Sequence, residues 1–174
     1  ETFAHGDFPM PNDAVAKTKI AIAAGETPVV LGDYSDRPGD ATWILRELIE
    51  QGVSKVLYAA LRDERALEKL AEMNAKPGDS FDMAVGGFTG EQAGRPVNIQ
   101  GTVRFFGPMW EYEHVAAIEF GDQNMLVLAP AYTQIMTVPP LRFGPIEPDD
   151  YDVFVLKSRA HFRRGFDETG YAKT

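Results

Sequence analysis

The side chains best suited to chemistry lie in one short loop, Gly32–Thr42, which contains three aspartates. Asp33, Asp36 and Asp40 follow a short apolar segment and precede an amphipathic one, so the loop leads from the carboxyl end of a predicted strand into a helix. Ligands bind at such positions in α/β folds because backbone N–H groups are unpaired there and the helix dipole is positive. The carboxylates could hold a cation, orient a base or bind a substrate amine. The alternative is local: Asp40 caps the helix and Asp36 forms a turn.

A second polar cluster, Lys157–Arg163, follows another apolar segment near the end of the chain. The lysine at its start, His161 and Arg163 would form a cationic spot in an otherwise acidic chain. Such a spot suits a carboxylate ligand or pairing with the loop aspartates. The alternative is the solvated start of a helix whose Phe162 and Phe166 pack inward four residues apart.

The histidines do not form a recognisable metal motif. His5, His114 and His161 are far apart in the sequence, and there is no His-Glu-x-x-His pattern. The chain has no cysteine, which excludes disulfides, cysteine-ligated zinc and a thiol nucleophile. Neither a Gly-x-Ser-x-Gly elbow nor a phosphate-binding loop is present. We therefore do not expect this chain to hold a complete zinc site by itself.

Composition narrows the class of protein. The 174 residues are 44% hydrophobic and 25% charged, which is typical of a globular domain. The net charge of -9 makes nucleic acid a poor partner. The longest apolar run, Met125–Tyr132, is far shorter than the roughly 20 residues of a membrane helix. We expect a cytoplasmic protein that has no membrane contact, and a homo-oligomer is compatible with the sequence. Because the first residue is Glu1, we also expect a piece of a longer chain.

The first half of the sequence alternates between helical and strand patterns. Residues 1–10 show no periodicity and are predicted to be an irregular lead-in. A helix should follow Pro11, capped by Asn12 or Asp13 and burying Val15, Ile20 and Ala24. The further predictions are strands at Pro28–Asp33 and Val53–Ala60, a helix at Thr42–Gln51 that buries Ile44, Leu45, Leu48 and Ile49, and a helix from an Asp63 cap to Asn74.

The second half is rich in β patterns. The predicted strands are Ser80–Gly87, Val97–Phe106, Tyr112–Phe120, Asn124–Ala129 and Tyr151–Leu156, with a hairpin turn at Gly121–Asn124 and a short helix from a Ser158 cap to Phe166. The predicted fold class is therefore α/β, with a parallel or mixed sheet flanked by helices in the first half and a β-rich second half. Residues 1–174 should form a single domain.

Two segments together resemble a known family. The first is Val29-Val30-Leu31-Gly32-Asp33, then Asp36-Arg37-Pro38-Gly39 and Asp40-Ala41-Thr42. The second is Val155–Phe166, which contains a Lys-Ser-x-x-His-Phe-Arg-x-x-Phe run. Both are similar to motifs in the C-terminal domain of zinc metallopeptidases related to microcystinase C, the MlrC family.

The resemblance implies that this chain is the C-terminal part of a two-domain zinc metallopeptidase. An N-terminal domain of the same polypeptide, absent here, would carry the zinc ligands and the catalytic acid, and a zinc-activated water would hydrolyse a peptide or amide bond. The chain alone would not bind zinc, would be inactive, and would wall the cleft that receives a small peptide-like substrate. The residues expected to contact the substrate or support the metal ligands are Asp33, Asp36, Asp40, Thr42, Lys157, Ser158, His161 and Arg163.

The first motif departs from the family pattern. The family loop is usually longer and richer in glycine, whereas this chain has Arg37 in place of asparagine and Ala41 in place of glycine. An active enzyme of altered specificity and an inactive one both fit this loop. Two other functions stay open: a non-catalytic module that binds an amino acid or short peptide, and a purely structural interface domain.

Overall fold

The computed structural model describes residues 8–34 and 36–174, which form one seven-stranded sheet with helices against it. His5 and most of the predicted lead-in lie outside the described residues. The strands are β1 (Val29–Gly32), β2 (Val56–Arg62), β3 (Ser80–Val85), β4 (Val97–Met109), β5 (Tyr112–Phe120), β6 (Asn124–Ala129) and β7 (Val153–Leu156). The α-helices are α1 (Pro11–Ala23), α2 (Trp43–Glu50), α3 (Glu64–Glu72) and α4 (Arg163–Phe166).

The sheet is mixed and has the order β1-β7-β2-β6-β5-β4-β3. Strands β1, β7, β2 and β6 are parallel, whereas β5, β4 and β3 continue the sheet in antiparallel hairpins. In register, Leu156 at the end of β7 pairs with Gly32 of β1 and with Ala59 of β2. The parallel strands thus end at one edge of the sheet, called the carboxyl edge below. The predicted α/β class with a mixed sheet is confirmed.

Each face of the sheet has its own apolar layer, because alternate strand residues point to opposite faces. On one face, α1, α2 and α3 pack through residues such as Val15, Leu45 and Leu67. On the other face, the segment 135–146 and the end of the chain cover the strands with Phe143 and Phe166, among others. Both faces of the parallel strands are therefore buried, which explains their continuous apolar sequences.

Helices α1, α2 and α3 lie where they were predicted, but the cap of α1, predicted at Asn12 or Asp13, and some of the buried positions differ. Met10 is the N-cap of α1, because Pro11 occupies the first helical position, where its missing N–H is tolerated. That helix buries Val15, Thr18 and Ala21. Thr18 can be buried because its hydroxyl donates to Ala14 O at 2.9 Å. Three residues predicted to be inside are exposed: Ala24, Ile20 at 70% and Ile49 at 41%.

Other local signals were read correctly. Asp63 caps α3, since its Oδ1 accepts from Ala66 N at 3.0 Å. Strands β5 and β6 have the predicted bounds and form the predicted hairpin. Ser158, in contrast, does not cap a helix, because α4 starts at Arg163 with Phe162 as its N-cap. None of the helices in the described residues is long and apolar enough to cross a membrane.

Candidate functional site

Both polar clusters of the sequence begin at the carboxyl edge. Asp33 directly follows β1 and Lys157 directly follows β7, its neighbour in the sheet. Lys157 Nζ lies 2.7 Å from Asp33 Oδ2 and 2.8 Å from Ala41 O, to both of which it donates. The side chains of Lys157 and Asp33 are 0% and 1% exposed. The predicted pairing of the lysine with the loop aspartates is thus present as a fully buried ion pair.

Tyr58, on β2, completes this buried cluster. Its hydroxyl lies 3.0 Å from Asp33 Oδ2 and 3.2 Å from Ala41 O. Burial, together with the neighbouring charge of Asp33, raises the pKa of Tyr58 well above its ordinary value. The sequence analysis missed Tyr58, since nothing distinguishes it from the other residues of an apolar strand.

Asp36 shapes the loop and also faces the lysine. Its Oδ2 accepts from Gly39 N at 2.7 Å and from Asp40 N at 2.8 Å, which confirms the turn interpretation. Its Oδ1 is buried without a hydrogen bond and lies 3.5 Å from Lys157 Nζ. Two carboxylates therefore share one ammonium group, and this shared cation is a side chain of the protein itself.

Asp40 connects the loop to the segment after β3 and is not a helix cap. Its Oδ2 accepts from Phe88 N at 2.8 Å and Thr89 N at 3.0 Å, and its Oδ1 accepts from the Thr89 hydroxyl. Burial would raise the pKa of Asp40, but these hydrogen bonds stabilise the charged form and lower it below its ordinary value. Thr42 is the N-cap of α2 and donates through its hydroxyl to Arg95 O at 2.7 Å.

The rest of the second cluster is divided between two places. Gln134, which follows β6, joins Ser158 and His161, because its Nε2 lies 3.1 Å from Ser158 Oγ and 2.9 Å from His161 Nδ1. The Tyr132 hydroxyl donates to Lys157 O at 2.8 Å and ties the same segment to β7. Arg163 lies apart from this group, exposed and paired with Asp167 at 3.5 Å. The sequence analysis missed Tyr132 and Gln134, although both follow a predicted strand.

The exposed aromatic residues of the described chain gather around the carboxyl edge. They are Phe8, Tyr34, Trp43, Phe88 and Tyr132, and we call this set the aromatic rim. The Phe8 and Tyr34 rings are 5.0 Å apart between centroids. The guanidinium of Arg65 lies 3.7 Å from the centre of the Phe88 ring, and that of Arg159 lies 5.8 Å from the Tyr34 ring.

The described residues do not form a site suited to a metal ion. Within 8–34 and 36–174, no three His, Cys, Asp or Glu side chains are grouped so that they could hold one. The aspartates at the carboxyl edge bond to Lys157, to Tyr58 or to backbone N–H groups. His114 lies elsewhere, stacked on Phe106 on β4.

The sequence matches a known protein family, and the fold is similar to that of a solved structure. A family model described as the MlrC C-terminus matches residues 35–171. A crystal structure of a "putative metallopeptidase" from Mesorhizobium sp. BNC1 has a similar fold, with a TM-score of 0.74 and 17% sequence identity. The similarity covers 94% of this chain but only 35% of that one. No curated protein matches the sequence.

Proposed function

Because the chain belongs to the MlrC C-terminus family, we propose that it is the C-terminal domain of a zinc-dependent peptide or amide hydrolase. In this proposal an N-terminal domain of the same polypeptide carries the metal ligands, and this domain walls the cleft. The Mesorhizobium structure supports a multidomain parent, since this chain spans only 35% of its length. Zinc held by the other domain would activate a water molecule for attack on the amide carbon.

The aromatic rim is the observation that carries the proposal. Tyr34, Phe88 and Tyr132 are each more than 40% exposed, and Arg65 and Arg159 lie over two of the rings. Aromatic residues and arginine are the types enriched where proteins contact one another. A group of exposed aromatic rings at one edge indicates a surface that another protein or domain covers. This edge is also where parallel α/β sheets bind ligands.

The buried charges then act as positioning residues. Lys157, Asp33 and Asp36 are inaccessible, so a substrate cannot contact them without unfolding the loop. Their bonds fix the path of the loop, and Asp40 fixes the position of Phe88 and Thr89. Exposed side chains on these fixed segments, such as Tyr34 and Arg37, are the ones available to a substrate or a partner domain.

The test uses the full-length hydrolase with a Tyr34→Ser, Phe88→Ser double variant. Neither ring is needed for the core, so the fold and zinc content should be retained, whereas peptide hydrolysis should fall by about tenfold or more. The matched control is Ile20→Ser with Met73→Ser, which removes two exposed apolar residues away from the edge. Unchanged turnover in the rim variant would disprove the role as a cleft wall.

A purely structural interface domain is the second candidate. The buried ion pair favours it, because the residues that the motifs single out bond to one another and to the backbone. In that case the rim variant would weaken the association of the two domains, and saturating substrate would restore the wild-type rate. If the rim walls the cleft, the rim variant would instead have a lower rate at saturating substrate while the two domains remain associated.

A further inference from the structure

A groove of about 910 Å³ lies between two of the segments that cover the sheet face opposite α1–α3. One wall is formed by the segment after β6, through Met136, Val138 and Pro139, and the other by the end of the chain, through Tyr171. Met136 is 50% exposed although it belongs to this apolar lining. The volume is in the range of sites that bind small molecules.

The floor of the groove is fixed by close backbone packing. Thr137 pairs with Gly165 in a parallel bridge between the two walls. A methyl group added at Gly165 would lie 2.1 Å from Met136 O, so only glycine permits this approach. The groove therefore lies between two segments whose backbones are in close contact.

Two residues with basic side chains line the groove. Arg164 and His161 belong to the lining, which contains no aspartate or glutamate. Arg164 forms no ion pair with any residue that the structure describes, whereas its neighbour Arg163 pairs with Asp167. The nearby carboxylate of Asp149 accepts from the Tyr171 hydroxyl at 3.0 Å and lies 3.4 Å from Arg142. In a chain of net charge -9, Arg164 therefore places a cationic group beside the apolar lining of the groove.

We propose that this groove binds a small ligand with an apolar body and one carboxylate group. The guanidinium of Arg164 would hold the carboxylate through charge-assisted hydrogen bonds, and the Met136–Pro139 wall and Tyr171 would cover the apolar body. Gln134 Nε2 lies 2.9 Å from His161 Nδ1 and so holds the imidazole in the lining of the groove. The groove would bind this ligand whether or not the aromatic rim walls a catalytic cleft.

The experiment titrates the isotope-labelled chain with N-acetylphenylalanine and, separately, with its neutral amide, followed by NMR. The acid should shift the amide signals of Thr137, Gly165 and Gly170 in a saturable manner and bind about tenfold or more tightly than the amide. Arg164→Gln should remove this preference for the acid without changing the melting temperature. Arg163→Gln is the matched control and should bind the acid like the wild type.

Three results would overturn the proposal. The first is an absence of saturable shifts with the acid. The second is equal binding of acid and amide to the wild type, which would deny a role for Arg164. The third is a dimer in sedimentation experiments that Arg164→Gln dissociates, because the groove would then hold a second copy of the chain. None of these results bears on peptide hydrolysis by the full-length protein, which tests the rim separately.

Discussion

Lys157 and Asp33 are 124 residues apart in the sequence, yet Nζ and Oδ2 lie 2.7 Å apart in a site that excludes solvent. Strand β7 lies beside β1 in the sheet, and this adjacency places the two residues together. Burying charges is unfavourable unless each has partners. Here the ammonium donates to a carboxylate and to Ala41 O, and Tyr58 adds another donor to the same carboxylate. The pair therefore fixes the motif loop against the sheet.

Replacing Lys157 with methionine should strongly destabilise the domain. The variant leaves Asp33 and Asp36 buried without the cation that they share, so the free energy of unfolding should fall by about 3–5 kcal/mol. The control is Lys55→Met, which breaks an exposed 3.9 Å pair with Asp152 and should change stability by less than about 1 kcal/mol. Urea unfolding measures both. Similar small losses in the two variants would contradict the assigned burial.

Asp40→Asn should weaken the link between the loop and residues 88–89. In the wild type, both carboxylate oxygens of Asp40 accept hydrogen bonds from residues 88 and 89. Asparagine replaces one of these oxygens with an NH₂ group, so we expect the free energy of unfolding to fall by about 1–3 kcal/mol at neutral pH. The folded-state pKa of Asp40 is lowered from the ordinary 3.8. Its contribution is therefore complete above about pH 4 and is lost as the pH falls through the lower, folded-state pKa.

The measurement for Asp40 compares urea unfolding at pH 7 and in acid. The difference between wild type and Asp40→Asn should shrink below pH 4, because protonation removes the same acceptor in the wild type. Asp122→Asn changes an exposed carboxylate in the β5–β6 turn and serves as the control. A difference that is constant with pH would mean that the charge of Asp40 has no part in holding the Phe88 and Thr89 N–H groups.

Local chemistry explains which parts of the fold could be predicted. Asp63 was recognised as a cap because an aspartate before an apolar periodic segment accepts from a free N–H of the first turn. The β5–β6 hairpin was recognised from Gly121 and its polar neighbours, where Gly121 and Gln123 adopt positive φ. Each of these signals involves residues only a few positions apart.

The site depended on contacts that local patterns do not encode. Asp40 was weighed as a helix cap, yet its donors at 88 and 89 are 48 and 49 residues away. The pairing of Lys157 with the loop aspartates was only one of two options. It depends on β1 and β7 being neighbours in the sheet, and the sequence of a single strand does not determine its neighbours. A local pattern can also predict too much burial. Ile20 and Ile49 fit the apolar face of their helices but are exposed, because apolar residues at the margin of such a face can remain in contact with solvent.

Gly39→Ala should disturb the loop more than an equivalent change elsewhere. Gly39 has φ +87°, and a Cβ there would lie 2.7 Å from Cδ2 of Tyr132. The control is Gly25→Ala, where φ is +76° and no atom lies within 4 Å of the added carbon. Gly25→Ala should lose only about 1 kcal/mol from backbone strain, and Gly39→Ala should lose more. Thermal unfolding of both variants measures the difference, and equal losses would argue against the contact with Tyr132.

Tyr58→Phe should lower the stability of the domain, because it removes the hydroxyl that donates to the buried carboxylate of Asp33. Asp33 loses a donor at 3.0 Å, so stability at pH 7 should fall by about 1–3 kcal/mol, whereas the exposed Tyr34→Phe should leave it unchanged. The folded-state pKa of Tyr58 is raised above 10.0, so the wild type loses stability as the pH rises above 10 toward that value. The variant lacks this ionisation, and the difference between the two proteins should narrow in urea unfolding at pH 11. Tyr151, whose pKa is raised to about 12, keeps some alkaline sensitivity in both. A difference that widened above pH 10 would show that the Tyr58 hydroxyl does not donate to Asp33.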